Sequence, residues 1–143
     1  MSMDVFLIAQ IDLVVQIVIL VVLFAGLILK KKSKFFSHGT SMLVAVVLNA
    51  IPFFLVMGPS LLSLGQTVRE YPLNRLSLVV LGHASFGSVA EVLGIWIVGS
   101  WRLRSSVQGC VAKKRFMLVT FALWLTAIFF GILLFTLLYT TII

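Results

Sequence analysis

Residues 5–34, VFLIAQIDLVVQIVILVVLFAGLILKKKSK, decide the fold class of this chain. Residues 5–29 contain one charged side chain, that of Asp12, and four lysines follow within the next five positions. A helix of about 20 apolar residues is long enough to cross a bilayer. In a cleavable signal peptide the cations precede a shorter apolar core, whereas here they follow it. The stretch therefore predicts a retained transmembrane helix that ends in a cationic loop.

The rest of the chain repeats this pattern, with further apolar runs at 36–57, 75–99 and 116–139. Of the 143 residues, 62% are hydrophobic and 10% are charged, whereas a soluble domain has about 45–50% apolar and about 25% charged residues. Short connections between four helices favour an up-and-down bundle. The sequence thus predicts an all-α integral membrane protein in which residues 1–143 form one transmembrane domain of four spans.

The placement of charge predicts the orientation. Two loops, 30–35 and 101–115, hold nine of the eleven basic residues and no acid, which is the pattern of cytoplasmic loops. We therefore expect a multi-pass protein of the cell membrane with both termini outside and the bilayer as its surroundings. Residues 61–74 are expected to form an outer loop after a break at 57–60. Nucleic acid is not an expected partner, because no basic, aromatic-rich soluble face is present.

Four polar residues inside the predicted spans, Asp12, Gln16, His83 and Glu91, are candidate site residues. An ionisable group at mid-membrane costs about 2.5–3.5 kcal/mol on insertion scales, so it usually faces the interior of a bundle. Asp12 and Gln16 share one face of the first helix because they are four residues apart, and His83 lies at a similar depth in the third. These three side chains could meet in one outer cluster. Either the members of this cluster satisfy each other's hydrogen bonds and fix the helix register, or the cluster is a protonatable, ligand-binding or metal-binding site.

Glu91 is the fourth polar residue, about 12 Å from the basic loops at the helical rise per residue. A carboxyl at this depth is either neutral and hydrogen-bonded or handles protons. The residues that could reach it by depth are Ser41, Asn49, Thr120 and Thr126.

A second candidate site lies at the start of the second span. His38 and Met42 are four residues apart and could offer a nitrogen and a thioether to copper or to haem iron. The alternative is an interfacial histidine beside the lysines and anionic lipid headgroups. His83 lies roughly 20 Å further out by helical rise, so His38 and His83 cannot clamp one haem between them.

Small residues form a stripe along the third span, at Gly87, Ala90 and Gly94. Such residues let helix backbones approach closely in a membrane, which favours a packing role. The alternative is a groove for a cofactor.

No catalytic signature is present in the sequence. It contains no nucleophile elbow, no phosphate-binding glycine-rich loop, no paired histidines at zinc spacing and no CxxC. A single cysteine, Cys110, excludes an internal disulfide and is expected to be a reduced loop thiol. We name no catalytic residue, and the pattern favours a non-enzymatic role without excluding an enzyme.

Three segments together resemble a family of small prokaryotic integral membrane proteins, domain of unknown function 420. They are the lysine run leading to His38-Gly39-Thr40-Ser41-Met42, a helix that opens with Leu81-Gly82-His83 and ends at Trp101-Arg102-Leu103-Arg104, and Lys113-Lys114-Arg115-Phe116 leading through Trp124 and Gly131 to Leu138-Tyr139. The resemblance covers roughly residues 30–140. Family members commonly carry further histidines in the outer loop and the last basic loop, and this chain has none there. Only His38, Met42 and His83 therefore carry over as metal or haem ligands.

The resemblance implies a four-helix membrane protein that is sometimes linked to haem–copper oxidases. Together with the short loops and the lack of substrate-handling motifs, it suggests a non-catalytic accessory or assembly subunit of a membrane oxidoreductase complex. That complex would be a terminal haem–copper oxidase or another copper- or haem-dependent oxidase. One alternative is a small b-type cytochrome or metal-binding membrane protein, with haem or copper as the cofactor. Another is a small proton-coupled transporter that uses Asp12 or Glu91.

Overall fold

The computed structural model describes residues 3–101 and 107–140, and all regular structure in these two stretches is helical. The elements are α1 (Met3–Lys31), α2 (Phe35–Pro52), a π-helical segment (Phe53–Met57), α3 (Gly58–Glu70), α4 (Arg75–Trp101), α5 (Val107–Ala112) and α6 (Lys114–Tyr139). Four helical segments are long and apolar enough to cross a membrane: Phe6–Lys31, Phe35–Glu70, Arg75–Trp101 and Lys114–Tyr139. The prediction of an all-α chain with four helices long and apolar enough to span a membrane is confirmed.

The four long helices pack around a shared core. α1 packs along α2 and α4 along α6, while α2 also meets α4 and α6 meets α1. The central buried cluster draws on all four helices, through Ile19, Leu23, Ala45, Val46, Ala90 and Trp124. Many large aliphatic side chains point outward instead, for example Val14 at 59% exposure and Val92 at 65%. An apolar exterior of this kind is suited to lipid rather than to water.

The two ends of the molecule differ in charge. We call the end that carries the α1–α2 turn and the start of α6 the basic end, because residues 30–34 and 113–115 lie there. At this end the ring of Trp101, the last residue of α4, packs on Phe36 of α2. At the opposite end Phe6 of α1 packs on Tyr139 of α6, with ring centroids 5.1 Å apart.

The α1–α2 turn at the basic end closes in a Schellman arrangement. The amide of Lys34 donates to the carbonyl of Leu29 and the amide of Ser33 to that of Lys30, each at 3.0 Å. Ser33 takes the left-handed conformation, φ 57°, that this motif requires at its first residue beyond the helix. The turn therefore reverses the chain within three residues, and α2 packs back along α1.

The second span continues where the sequence predicts a loop. The interpretation of 57–60 as a break and of 61–74 as an outer loop is wrong for the part up to Glu70, because the chain passes through the π-helical segment into α3. Pro59 lies in the first turn of α3, and because the helix continues from the π-helical segment into α3, its missing amide removes one helical hydrogen bond at this junction. The wider π-helical turn directly follows Pro52, the other proline of the region.

The second basic loop is also partly helical, because α5 lies within the predicted loop 101–115. Lys113, between α5 and α6, donates to Ser100 and lies 5.8 Å from the Trp96 ring centroid. The expectations for Arg102 and Arg104 fall on residues 102–106, outside the described residues.

The small-residue stripe of α4 is buried at all three positions, Gly87, Ala90 and Gly94. A Cβ added to Gly94 would lie 3.1 Å from Val46 and 3.3 Å from Trp124, whereas one added to Gly87 would meet only ordinary contacts at 3.8 Å and beyond. Close approach of α4 to α2 and α6 therefore depends on Gly94 more than on Gly87.

Candidate functional site

Two partly open cavities contain the predicted site residues of the two ends of the molecule, and a third, shallower hollow is lined by Glu91 and seven apolar residues. The basic-end cavity has a volume of about 70 Å³ and is lined by residues that include His38, Met42 and Trp101. The opposite-end cavity has a volume of about 290 Å³ and is lined by residues that include Asp12 and His83. Among the described residues, Trp124 is the one side chain that lines both cavities, and it belongs to the central buried cluster of the bundle.

His38 is held by the neighbouring helix. Its Nδ1 lies 2.7 Å from the carbonyl oxygen of Gly26 in α1, and since a carbonyl only accepts, Nδ1 carries the proton. Ser41, one turn further along α2, donates to the carbonyl of Val22 at 3.0 Å. His38 is 5% exposed, and its Nε2 is buried without a partner among the described residues. In the neutral ring this nitrogen carries a lone pair that is available beside the basic-end cavity.

The wall around His38 is rich in sulfur. Met42, Met117 and Cys110 line the same cavity. Cys110 is a free thiol at 4% exposure. Space for Met42 depends on Gly26, because a Cβ at that position would lie 2.2 Å from the Met42 Cε. The structure thus places the predicted pair His38 and Met42 in one cavity wall and adds Met117 and Cys110, neither of which the sequence indicated as a ligand. Cys110, expected to be a loop thiol, lies in α5.

The positions of Met117 and Cys110 in the sequence indicate the end of the molecule at which they lie. Both precede or open the fourth apolar run, so in an antiparallel arrangement they reach the basic end at the level of His38. Depth alone does not say which helix faces they occupy, and this is why they were missed.

The opposite-end cavity contains the predicted polar cluster. Gln16 Nε2 donates to Asp12 Oδ2 at 3.0 Å along α1. His83 Nδ1 donates to the carbonyl of Ala127 in α6 at 2.8 Å. Asp12, Gln16 and His83 all line this one cavity.

The side chains of Gln16 in α1 and His83 in α4 come together beside Gly131 of α6, which has no side chain. A Cβ there would lie 2.8 Å from Gln16 Oε1 and 3.0 Å from His83 Cε1. Both side chains therefore occupy the space that any larger residue at position 131 would take.

Glu91 forms a separate polar site in the middle of the bundle. It is 2% exposed, and Asn49 Nδ2 of α2 donates to its Oε2 at 2.7 Å. Its Oε1 is buried and has no partner among the described residues. Of the four partners considered from depth, Asn49 makes the contact. Thr120 and Thr126 instead donate to carbonyls of their own helix, those of Phe116 and Ala122.

The structure does not join all the predicted ligands. His38 lines one cavity and His83 the other. Within residues 3–101 and 107–140, no three His, Cys, Asp or Glu side chains are grouped so as to hold a metal ion. Comparison of the chain with protein families, curated proteins and solved structures finds no match.

Proposed function

We propose that this protein is a non-catalytic, metal-handling accessory or assembly subunit of a membrane oxidoreductase complex, such as a terminal haem–copper oxidase. It would be an up-and-down four-helix bundle in the cell membrane, with both termini outside and the basic end in the cytoplasm. The observation that supports this function is the buried, unpartnered Nε2 of His38 beside a cavity lined by Met42, Met117 and Cys110.

The donor atoms favour copper in its reduced state. Thioether and thiolate sulfur are soft ligands that select Cu(I), whereas carboxylates and waters suit harder cations. The Nδ1–H of His38 donates to a backbone carbonyl, which is the common way in which a metal-ligating histidine is oriented. His38, Met42, Met117 and Cys110 are the residues that would hold the ion.

Haem does not fit the same cavity. A water takes up about 30 Å³ of liquid volume, so a cavity of about 70 Å³ has room for an ion or a few waters. A porphyrin would have to separate α2 from α4 and α6, and Trp101 and Trp124 close that space. Size therefore favours a single ion over a b-type cytochrome at His38.

The link to an oxidase is supported by the resemblance to the domain of unknown function 420 family and by the metal-ligand chemistry. We propose membership of that family on the segments quoted above.

Competition with a Cu(I)-chelating dye tests metal binding by the purified full-length protein under reducing conditions. We expect one Cu(I) per chain, and we expect His38→Ala and Met42→Leu each to weaken binding about 10-fold or more. The matched control His83→Ala, in the other cavity, should retain the wild-type affinity. Absence of Cu(I) binding, or equal loss in the His83 control, would contradict the proposed metal site.

Co-purification tests the partner. Extraction from the native membrane in mild detergent should yield the protein together with subunits of a copper- or haem-dependent oxidase. If the protein always purifies without oxidase subunits, the accessory role is wrong, even if the protein binds copper.

A further inference from the structure

The opposite-end cavity has an uneven distribution of hydrogen-bonding groups. On the side formed by Asp12, Gln16 and His83 the donors are already used, because Gln16 Nε2 donates to Asp12 and His83 Nδ1 donates to Ala127. The unused groups on that side are acceptors, while the buried Nε1–H of Trp124, elsewhere in the lining, is a donor without a partner among the described residues. These acceptors are the remaining lone pairs of the Asp12 carboxylate, the buried Gln16 Oε1, which has no partner among the described residues, and Nε2 of a neutral His83. This wall is complementary to a ligand that brings several N–H or O–H donors.

The rest of the wall is apolar and aromatic. Phe53, Trp124, Phe135 and Tyr139 line the cavity together with aliphatic side chains. Aromatic faces attract cations, most strongly where water is excluded, and the carboxylate of Asp12 adds a negative charge. Positive charge is therefore favoured on the ligand.

Size distinguishes an organic ligand from a bare ion. At about 290 Å³ the cavity lies at the lower limit of small-molecule pockets, which run from about 300 to 1,000 Å³. A metal ion would leave most of this space empty, and one carboxylate, one amide oxygen and one imidazole do not fill the coordination sphere of a hard cation. An apolar body of about one ring would fill the space beside the acceptors.

We propose that the opposite-end cavity binds a small organic ammonium ion, whose N–H groups donate to Asp12, Gln16 and His83 while its apolar body lies against the aromatic wall. The site is independent of the proposed metal function, because the two cavities share Trp124 alone among the described residues.

Binding of phenethylamine to the full-length protein in detergent, followed by tryptophan fluorescence and by calorimetry, tests the proposal. The neutral analogue 2-phenylethanol and the trimethylated ammonium, which has no N–H, are the comparison ligands. We expect saturable binding of the amine, with both analogues weaker by about 10-fold or more because charge-assisted hydrogen bonds are lost. Binding of all three with one affinity, or no saturable binding of the amine, would overturn the proposal.

Variants locate the site. Asp12→Asn keeps the size of the side chain and should weaken amine binding about 10-fold or more, and Gln16→Leu should also weaken it. The matched control is Glu91→Gln, which alters the other carboxyl inside the bundle and should leave the affinity unchanged. An unchanged affinity in folded Asp12→Asn, or an equal loss in Glu91→Gln, would contradict the site. His38→Ala should bind the amine normally, so failure of the metal site and failure of this site are distinguishable.

Discussion

Glu91 shows how one buried carboxyl is accommodated in an apolar bundle. Asn49, its one hydrogen-bond partner among the described residues, lines the opposite-end cavity. A buried polar group that loses its partner costs about 1–3 kcal/mol, and more if it is charged, whereas replacing both partners by apolar groups can be nearly neutral. The pair therefore stabilises the fold only while both members are present.

The prediction at this scale is a double-mutant cycle. Asn49→Leu should lower the thermal unfolding midpoint in detergent, because it leaves Glu91 with neither oxygen bonded, at a cost of about 1–3 kcal/mol. Glu91→Leu, the second single variant of the cycle, should also lower the midpoint, because it leaves the Asn49 Nδ2 donor without its carboxylate acceptor.

The double variant Asn49→Leu with Glu91→Leu should recover much of the loss. If the losses of stability caused by Asn49→Leu and by Glu91→Leu simply add in the double variant, the two side chains do not act as a pair.

The choice among the partners of Glu91 marks the limit of sequence reasoning for side chains. Helical rise gives the depth of a residue in the membrane, and depth named Asn49 as one of four possibilities. Which faces of two helices meet depends on rotation about each axis, and that follows from packing of all four helices. Met117 and Cys110 were missed for the same reason.

At the scale of elements, the contact between α2 and α4 at the basic end depends on one glycine. A Cβ on Gly39 would lie 2.0 Å from the Trp101 ring, and Gly39 is fully enclosed there. The indole of Trp101 thus lies directly on the α2 backbone and forms one wall of the basic-end cavity.

We predict that Gly39→Ala lowers the thermal unfolding midpoint and shifts the emission of Trp101, because the ring must move. The matched control is Gly99→Ala, since an added Cβ at that exposed position meets nothing within 4 Å. Alanine is favoured over glycine in a helix by about 1 kcal/mol, so this control should be neutral or slightly stabilising. Equal midpoints for the two variants would show that Trp101 does not lie against α2.

The extent of the elements was only partly predictable. Four apolar runs of sufficient length predicted the four long helices, because hydrophobicity and length suffice for that inference. The same reasoning misplaced the end of the second helix, since Gly58 and Pro59 are typical both of a turn and of the first turn of a new helix. The structure resolves this ambiguity in favour of α3, whose polar residues continue the helix beyond its apolar part.

For the whole molecule, orientation is a prediction from charge. Labelling with a membrane-impermeant thiol reagent on intact cells tests it. Single cysteines at Lys32→Cys, in the α1–α2 turn, and at Leu73→Cys, between α3 and α4, would be placed in a Cys110→Ala background. Position 73, which is 85% exposed, should be labelled, and position 32 should be protected until the cells are opened. The reverse pattern would show that the basic end faces outward.

The two proposals assign different roles to the two ends of the molecule. Sulfur and imidazole nitrogen atoms line the cavity at the basic end, hydrogen-bond acceptors line the cavity at the opposite end, and Trp124 contributes to both linings. The central claim is that the basic end holds a soft metal ion.

X-ray absorption at the copper edge of the Cu(I)-loaded full-length protein tests this claim most directly. The proposal predicts sulfur and imidazole nitrogen bound directly to copper, with the nitrogen lost in His38→Ala and retained in His83→Ala. Copper bound only to oxygen and nitrogen, with a spectrum that His38→Ala leaves unchanged, would contradict it.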